Sequence, residues 1–328
     1  MISVVVPYPA SNSSVRTRAL HWIDRTERLR TERPDVFGPG FRSTAKVSAD
    51  GPVLLLRNAR RLTRGGLERR WLTAGAPGVY DLDDGLPWDD GNLPGLGRWW
   101  KRPFPRSLMA RRAASAADRV VAGNDTIAAW AGEHCADVRV VPTCVEPGEY
   151  DTRDDWSIDR PPVIGWIGSP ATEPYLASIA PALRTVADRL GARVEMISGP
   201  GDPPTGLSPF TTRIAWEPGI ERRIATWDVG VMPLADGVYE RAKCGYKLLQ
   251  YAASAIPAVA SPVGVNAPML ERMDGLAART ADGWIDALDA VLTEPAERRA
   301  RRGGAGLGLA GAYSYDVWQD RWLDAVGW

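Results

Sequence analysis

The chain has 328 residues, 45% of them hydrophobic and 24% charged, which supplies material for a sizeable core and predicts two modest domains. Forty basic residues balance forty acidic ones, so no global field marks the protein for nucleic acid or a membrane surface, and any anion site has to be built locally. The opening MISVVVPYPA has a short apolar run without a basic lead-in, and no stretch reaches the roughly eighteen apolar residues of a membrane span; the expectation is a cytoplasmic protein with no transmembrane segment and no nucleic-acid partner.

Cys135, Cys144 and Cys244 are scattered and form no CxxC pair, which predicts reduced thiols instead of a disulfide framework or a zinc site. The only histidines, His21 and His134, leave little for a metal site or a histidine-based nucleophilic apparatus, and both read as helix-surface residues.

In chain order, short β-branched runs alternate with helical patterns. The first half gives a strand in ISVVV, a helix over Val15 to Arg30, a strand in VLLL, a helix ending near Thr73, then GVYDLDD, RVVAG, a helix in NDTIAAWAGEH, and VRVVPTCV. Continuous apolar strands separated by helices predict a parallel sheet covered on both faces. The polar stretch EPGEYDTRDDWSIDRPP reads as a linker, placing a boundary near Arg160.

The second half resumes with PVIGWIG, a helix from Thr172 with Thr172 expected as its N-cap, Pro174 in its first turn and a kink expected at Pro181, VEMI, a helix around Ile220 to Trp227, DVGVMPL, a helix from Gly245, and PAVAS. Helical patterns close the chain: WIDALDAVL, a glycine-rich stretch over 303 to 311, and YDVWQDRWLDAV, whose Trp318 and Trp322 lie four apart on one face and need an apolar surface. The expected architecture is α/β: residues 1–160 as an N-terminal Rossmann-like domain, 161–311 as a second one, and 312–328 as a terminal helix.

In an open parallel sheet, ligands bind beyond the carboxyl ends of the strands. Gly168 and Ser169 open the loop after GWI, where a backbone can approach a phosphate at a helix start; the loop also suits a plain strand-to-helix turn. In ERAKCGYKLLQYAAS, Lys243 and Lys247 are four apart and project from one face if the first turn is already wound, with Gln250 three residues on. Two cations beside a positive helix end make an anion site without global charge, although ordinary surface lysines fit the same pattern.

The run DLDDGLPWDD supplies Asp81, Asp83, Asp84, Asp89 and Asp90, suited to sugar hydroxyls, to a divalent metal, or simply to a capped acidic turn. Ser14, Arg16 and Arg18 follow the first strand, where arginine suits phosphate or carboxylate recognition as well as a surface salt bridge.

On the residues of GWIGSPATEPYL, DVGVMPL, KLLQYAASAIPAVASPVGVN, DRVVAGNDTIAAWA and VVPTCVE, the chain resembles glycosyltransferase family 4, the retaining enzymes of GT-B type. The resemblance implies two Rossmann-like domains facing a cleft, with the terminal helix packing back on the N-terminal domain. It implies a nucleotide-sugar donor, a UDP-sugar being favoured, with its diphosphate held by Gly168, Ser169, Lys243 and Lys247. Gln250 falls at the ribose position, and Glu240, Arg241, Cys244, Gly245 and Tyr246 form the donor loop. The acceptor, a small molecule or glycan, falls to Asp83, Asp84, Asp81, Ser14 and Arg16.

Two departures stand out. The family often has two glutamates separated by seven residues; here those positions hold Ala242 and Gln250. Where many members end the acceptor-side strand in histidine, this chain has DLDD. No metal and no cofactor beyond the nucleotide sugar are expected, since lysines take the place of a bridging cation. A non-catalytic nucleotide-sugar-binding subunit and a GT-B sugar epimerase are the other classes compatible with the pattern.

Overall fold

The computed structural model describes residues 3–6, 12–25, 51–58, 64–74, 77–90 and 105–327. The chain divides into two compact units: Met1–Cys144 with Gly237–Cys244 and Tyr315–Trp328, and Val145–Asp236 with Gly245–Ser314.

The first unit holds a five-stranded sheet, β1 (Ser3–Val5), β2 (Val53–Leu56), β3 (Gly78–Leu82), β4 (Arg119–Ala122) and β5 (Val138–Val140), in that spatial order. All pairings are parallel. β2 and β3 are buried throughout, as unbroken apolar runs in a two-faced sheet should be.

The predicted helix from Val15 becomes Ser13–Val15, a π-helical stretch over Arg16–Leu20, and His21–Arg25; residues 26–30 of that expectation lie outside the described residues. The helix Tyr315–Ala325 belongs to this unit. Trp322 stacks on Trp22 with ring centroids 5.1 Å apart, and Tyr315 meets the Trp22 edge at 4.7 Å.

The second unit holds six strands: β6 (Val163–Ile167), β7 (Arg193–Ser198), β8 (Thr211–Ala215), β9 (Val229–Met232), β10 (Ala258–Ala260) and β11 (Leu276–Ala277). Their spatial order is β11-β10-β9-β6-β7-β8. The chain thus runs outward one way from β6 and later returns to lay β9 on its other side. That reversal is a topological switch point, the place where open α/β sheets bind ligands.

Three local expectations need correction. The units do not divide at residue 160: Arg153 and Arg160 both bond the Asp228 carboxylate, each at 2.8 Å, so the polar stretch is stapled into the second unit. Pro181 accompanies a full break instead of a kink; helices Glu173–Ser178 and Ala180–Leu190 meet at Ile179, because proline has no N–H to continue the ladder. Thr172 stands at the N-cap position but its hydroxyl donates to the Ser169 carbonyl at 2.9 Å instead of capping.

The helix Ala296–Ala312 lies against Tyr246–Ala253. A side chain at Gly303 would meet the Ala255 carbonyl oxygen at 2.5 Å, whereas Gly304 faces open space. Glycine at the first of these lets the helix close on its neighbour.

Candidate functional site

At the switch point, β6 leads into Gly168 and Ser169. Gly168 donates its backbone N–H to the Ile197 carbonyl at 3.0 Å, so that amide is engaged within the protein and is not the one a phosphate would use. Its missing side chain has a packing role: a Cβ would lie 2.5 Å from the Trp166 ring and 2.7 Å from the Thr172 hydroxyl. Ser169 is exposed.

Behind this loop lies a network that the sequence reading did not single out. Glu173 accepts from the Ser198 hydroxyl at 2.6 Å and from both terminal nitrogens of Arg213, at 2.6 and 3.3 Å. Arg213 also donates to the carbonyls of Gly199 and Asp202, tying the carboxyl-end loops of β6 and β7 to β8. The available signal was an acid beside Pro174 at a helix start.

Gly245, with φ of +67°, precedes the helix Tyr246–Ala253. The left-handed glycine separates Lys243 from the helix, so the two lysines do not project from one wound face. Lys247 lies in the first turn, its ammonium 5.4 Å from the Trp166 ring centre, where it adds to the positive helix end.

Gln250 is buried and donates its amide to the Tyr150 hydroxyl at 3.2 Å, which lies 3.3 Å from the Tyr246 hydroxyl. Burial pushes the Tyr150 phenol well above its ordinary value, with neighbouring Tyr246 adding to the rise. Tyr150 therefore stays a neutral hydrogen-bonding group, and half-buried Tyr246 is the most exposed member of the row.

In the first unit, the carboxyl ends of the strands carry a dense ionic cluster. Asp81 and Arg18 form a fully buried two-pronged pair at 2.9 and 2.7 Å, and Arg18 also donates to the carbonyls of Val141 and Pro142. Burial works against the Arg18 charge, but Asp81 outweighs it and holds the guanidinium above its ordinary pKa. Asp81 is thereby enclosed and withdrawn from any acceptor.

Asp84 is the hub. It accepts from Arg57 at 2.7 Å, the Gly85 N–H at 2.9 Å, and Lys243 and the Tyr239 hydroxyl at 3.3 Å each. Burial alone would raise its pKa, but Lys243 and Arg57 outweigh it and hold the carboxyl far below the usual range. A carboxylate so held is an anchor and a poor base. Asp83 is 3.4 Å from Arg57, which also donates to the buried Ser14 hydroxyl at 2.9 Å. Arg16 is half-buried in the π-helical stretch.

The segment Gly237–Cys244 rests on this cluster. Asn124 donates to the Ala242 carbonyl at 2.8 Å, and the Cys244 thiol donates to the Asp83 carbonyl at 3.2 Å. Ala242 is fully buried in the core, while Arg241 is exposed and Glu240 half-buried. Burial pushes the Cys244 thiol up to about 12, so it is inert packing. All three cysteines are free.

Asp89 and Asp90 take a structural part, receiving Arg106 and the Ser107 hydroxyl at the start of the helix Arg106–Ala114. Among the described residues no three His, Cys, Asp or Glu side chains are grouped to hold a metal, and no helix is long and apolar enough to cross a membrane.

No protein-family model and no curated protein matches the chain. Solved structures do. WaaG, a glycosyltransferase involved in lipopolysaccharide biosynthesis, superimposes with a TM-score of 0.71 at 11% identity over 100% of both chains. The chain has the GT-B fold. Anabaena Alr3699/HepE, solved in complex with UDP and glucose, gives 0.71 at 13% identity, covering 99% of this chain and 98% of that one. The α,α-trehalose 6-phosphate synthase of Burkholderia multivorans gives 0.60 at 14% identity, covering 85% and 70%. Similarity over the full length at such low identity is a statement about the GT-B fold alone.

Proposed function

We propose that the protein is a glycosyltransferase that moves a sugar from a UDP-sugar to an acceptor hydroxyl, with retention, without a metal ion, and in the biosynthesis of a glycoconjugate or secondary metabolite. The observation that carries the reading is the switch point between β6 and β9 in a GT-B chain, with Lys247 in the first turn of a following helix.

Transfer leaves a diphosphate with added negative charge, so the chemical need is for fixed positive groups. Lys247, the helix dipole and Ser169 are assigned this task in the second unit, and Lys243, held by Asp84 and the face of Tyr239, is assigned it in the first. The pairing of Asp81 and Asp84 with arginines and Lys243 favours a metal-free reaction, since these acids already have cations. Tyr246 and Gln250 are assigned the ribose, Asp83 the acceptor hydroxyl. HepE holds UDP and glucose, which motivates UDP as the nucleotide.

The test is UDP release from a panel of UDP-sugars, with and without chelator. Lys243→Ala and Lys247→Ala should each lower turnover by about 10²- to 10³-fold at saturating donor. Near-normal turnover in both removes them from the mechanism, and loss of activity to chelator overturns the metal-free reading. The buried Ala242, with no polar atom for a hexose, favours a second reading, a nucleotide-sugar-binding subunit; UDP binding without UDP release or transfer would support it.

A further inference from the structure

We propose that Arg57 is a positioning residue for the transfer reaction: fixed in a left-handed turn at the end of β2, it holds Asp84 and thereby sets the Lys243 ammonium and the Tyr239 hydroxyl. The inference rests on the glycosyltransferase reading above.

Arg57 has φ of +57°, a conformation in which the side chain crowds the backbone. Arg64, Ala255 and Asp274 are also positive in φ; Arg64 lies in the turn before the helix Gly66–Leu72, and the other two follow the last turns of helices, where a left-handed residue is an ordinary cap. Arg57 follows a strand. Strain of this kind persists where the surroundings over-determine it, and here they do: the Arg57 N–H donates to the Asp81 carbonyl at 2.9 Å, and Asn58 is held by the Tyr80 hydroxyl at 2.7 Å and the Arg106 carbonyl at 3.0 Å.

The turn sends the guanidinium into the cluster, with Ser14 on one terminal nitrogen, Asp84 on the other, and Asp83 at 3.4 Å from Nε. Among the described residues, the groups facing Asp84 are then Arg57, Lys243, Tyr239 and the Gly85 N–H, with Asp83 preceding it in the chain. Among the described residues, Arg57 and Lys243 are the cations on this carboxylate. Without it, Asp84 takes up a proton more readily and loosens its hold on Lys243.

The test compares wild type with Arg57→Gly, which relieves the backbone, and Arg57→Lys, which keeps the charge, using UDP release from UDP-glucose across pH. Arg57→Gly should lose about 10- to 100-fold in kcat, the scale of a small misplacement of a catalytic group, with KM for UDP-glucose little changed and the acid limb of kcat moved to higher pH; Arg57→Lys should recover part of both. Unchanged kcat and an unmoved acid limb overturn the proposal. If wild type neither binds UDP nor releases it from UDP-glucose, the glycosyltransferase reading falls, and Arg57 with it as a residue of that reaction. The hold on Asp84 is then read from the Asp84 carboxyl carbon resonance in ligand-free protein: a midpoint raised in Arg57→Gly upholds it, and an unmoved one overturns it.

Discussion

Asp84 links charge, stability and the proposed chemistry at one residue. Its folded pKa lies below the ordinary aspartate value of about 3.9. The folded state therefore releases this proton more readily than the unfolded chain, and the stabilisation is complete above that ordinary value and drains away as pH falls through the folded one. Thermal unfolding of wild type and Asp84→Asn should differ most near neutral pH, and the gap should narrow below about pH 4. A gap independent of pH would mean that the Asp84 charge does not matter to folding.

The Arg18–Asp81 pair makes a second prediction. Arg18→Met leaves a buried carboxylate without its partner and should cost about 3–5 kcal/mol in denaturant unfolding, with Arg18→Met/Asp81→Leu recovering much of the loss. Sequence reading placed Asp81, Asp83 and Asp84 at a strand end but could not rank them. Which aspartate is enclosed and which is shared depends on Arg18, Arg57 and Lys243, and Arg57 draws its importance from a backbone angle that no residue pattern announced.

At the scale of elements, strands such as VLLL and PVIGWIG were legible because a two-faced parallel sheet requires unbroken apolar runs. β8, TTRIA, was not: it is an edge strand whose residues are half-buried or exposed, so neither a continuous run nor a clean alternation marks it. The helix after β6 was expected as one piece because its apolar spacing continues through Ile179, where the missing proline N–H ends it. The glycine-rich helix is tested by two substitutions one residue apart. Gly303→Ala should destabilise by about 1–3 kcal/mol through contact with the Ala255 carbonyl. Gly304→Ala, in open space, should stabilise by up to about 1 kcal/mol through helix propensity. Equal effects in thermal unfolding would remove the packing argument.

For the whole molecule, the alternation of strands and helices gave two Rossmann-like halves, and the superposition on GT-B structures bears out the fold. Chain order concealed how the units are composed, because Gly237–Cys244 follows β9 in sequence yet belongs to the first unit. That assignment is made by long-range contacts from Asn124, Asp83 and Asp84, which local periodicity does not encode. It also puts Lys243 in the first unit and the helix that carries Lys247 in the second.

The central claim, that this GT-B chain takes a uridine nucleotide-sugar, is tested most directly by thermal unfolding with UDP, GDP, TDP and their sugars. A ligand at about 100 times its Kd adds about 2.7 kcal/mol to the state it binds, or about 5–10 °C for units of this size. The account predicts such a rise with UDP and a UDP-sugar, much reduced in Lys247→Ala; a melting temperature unmoved by any of these nucleotides would contradict it.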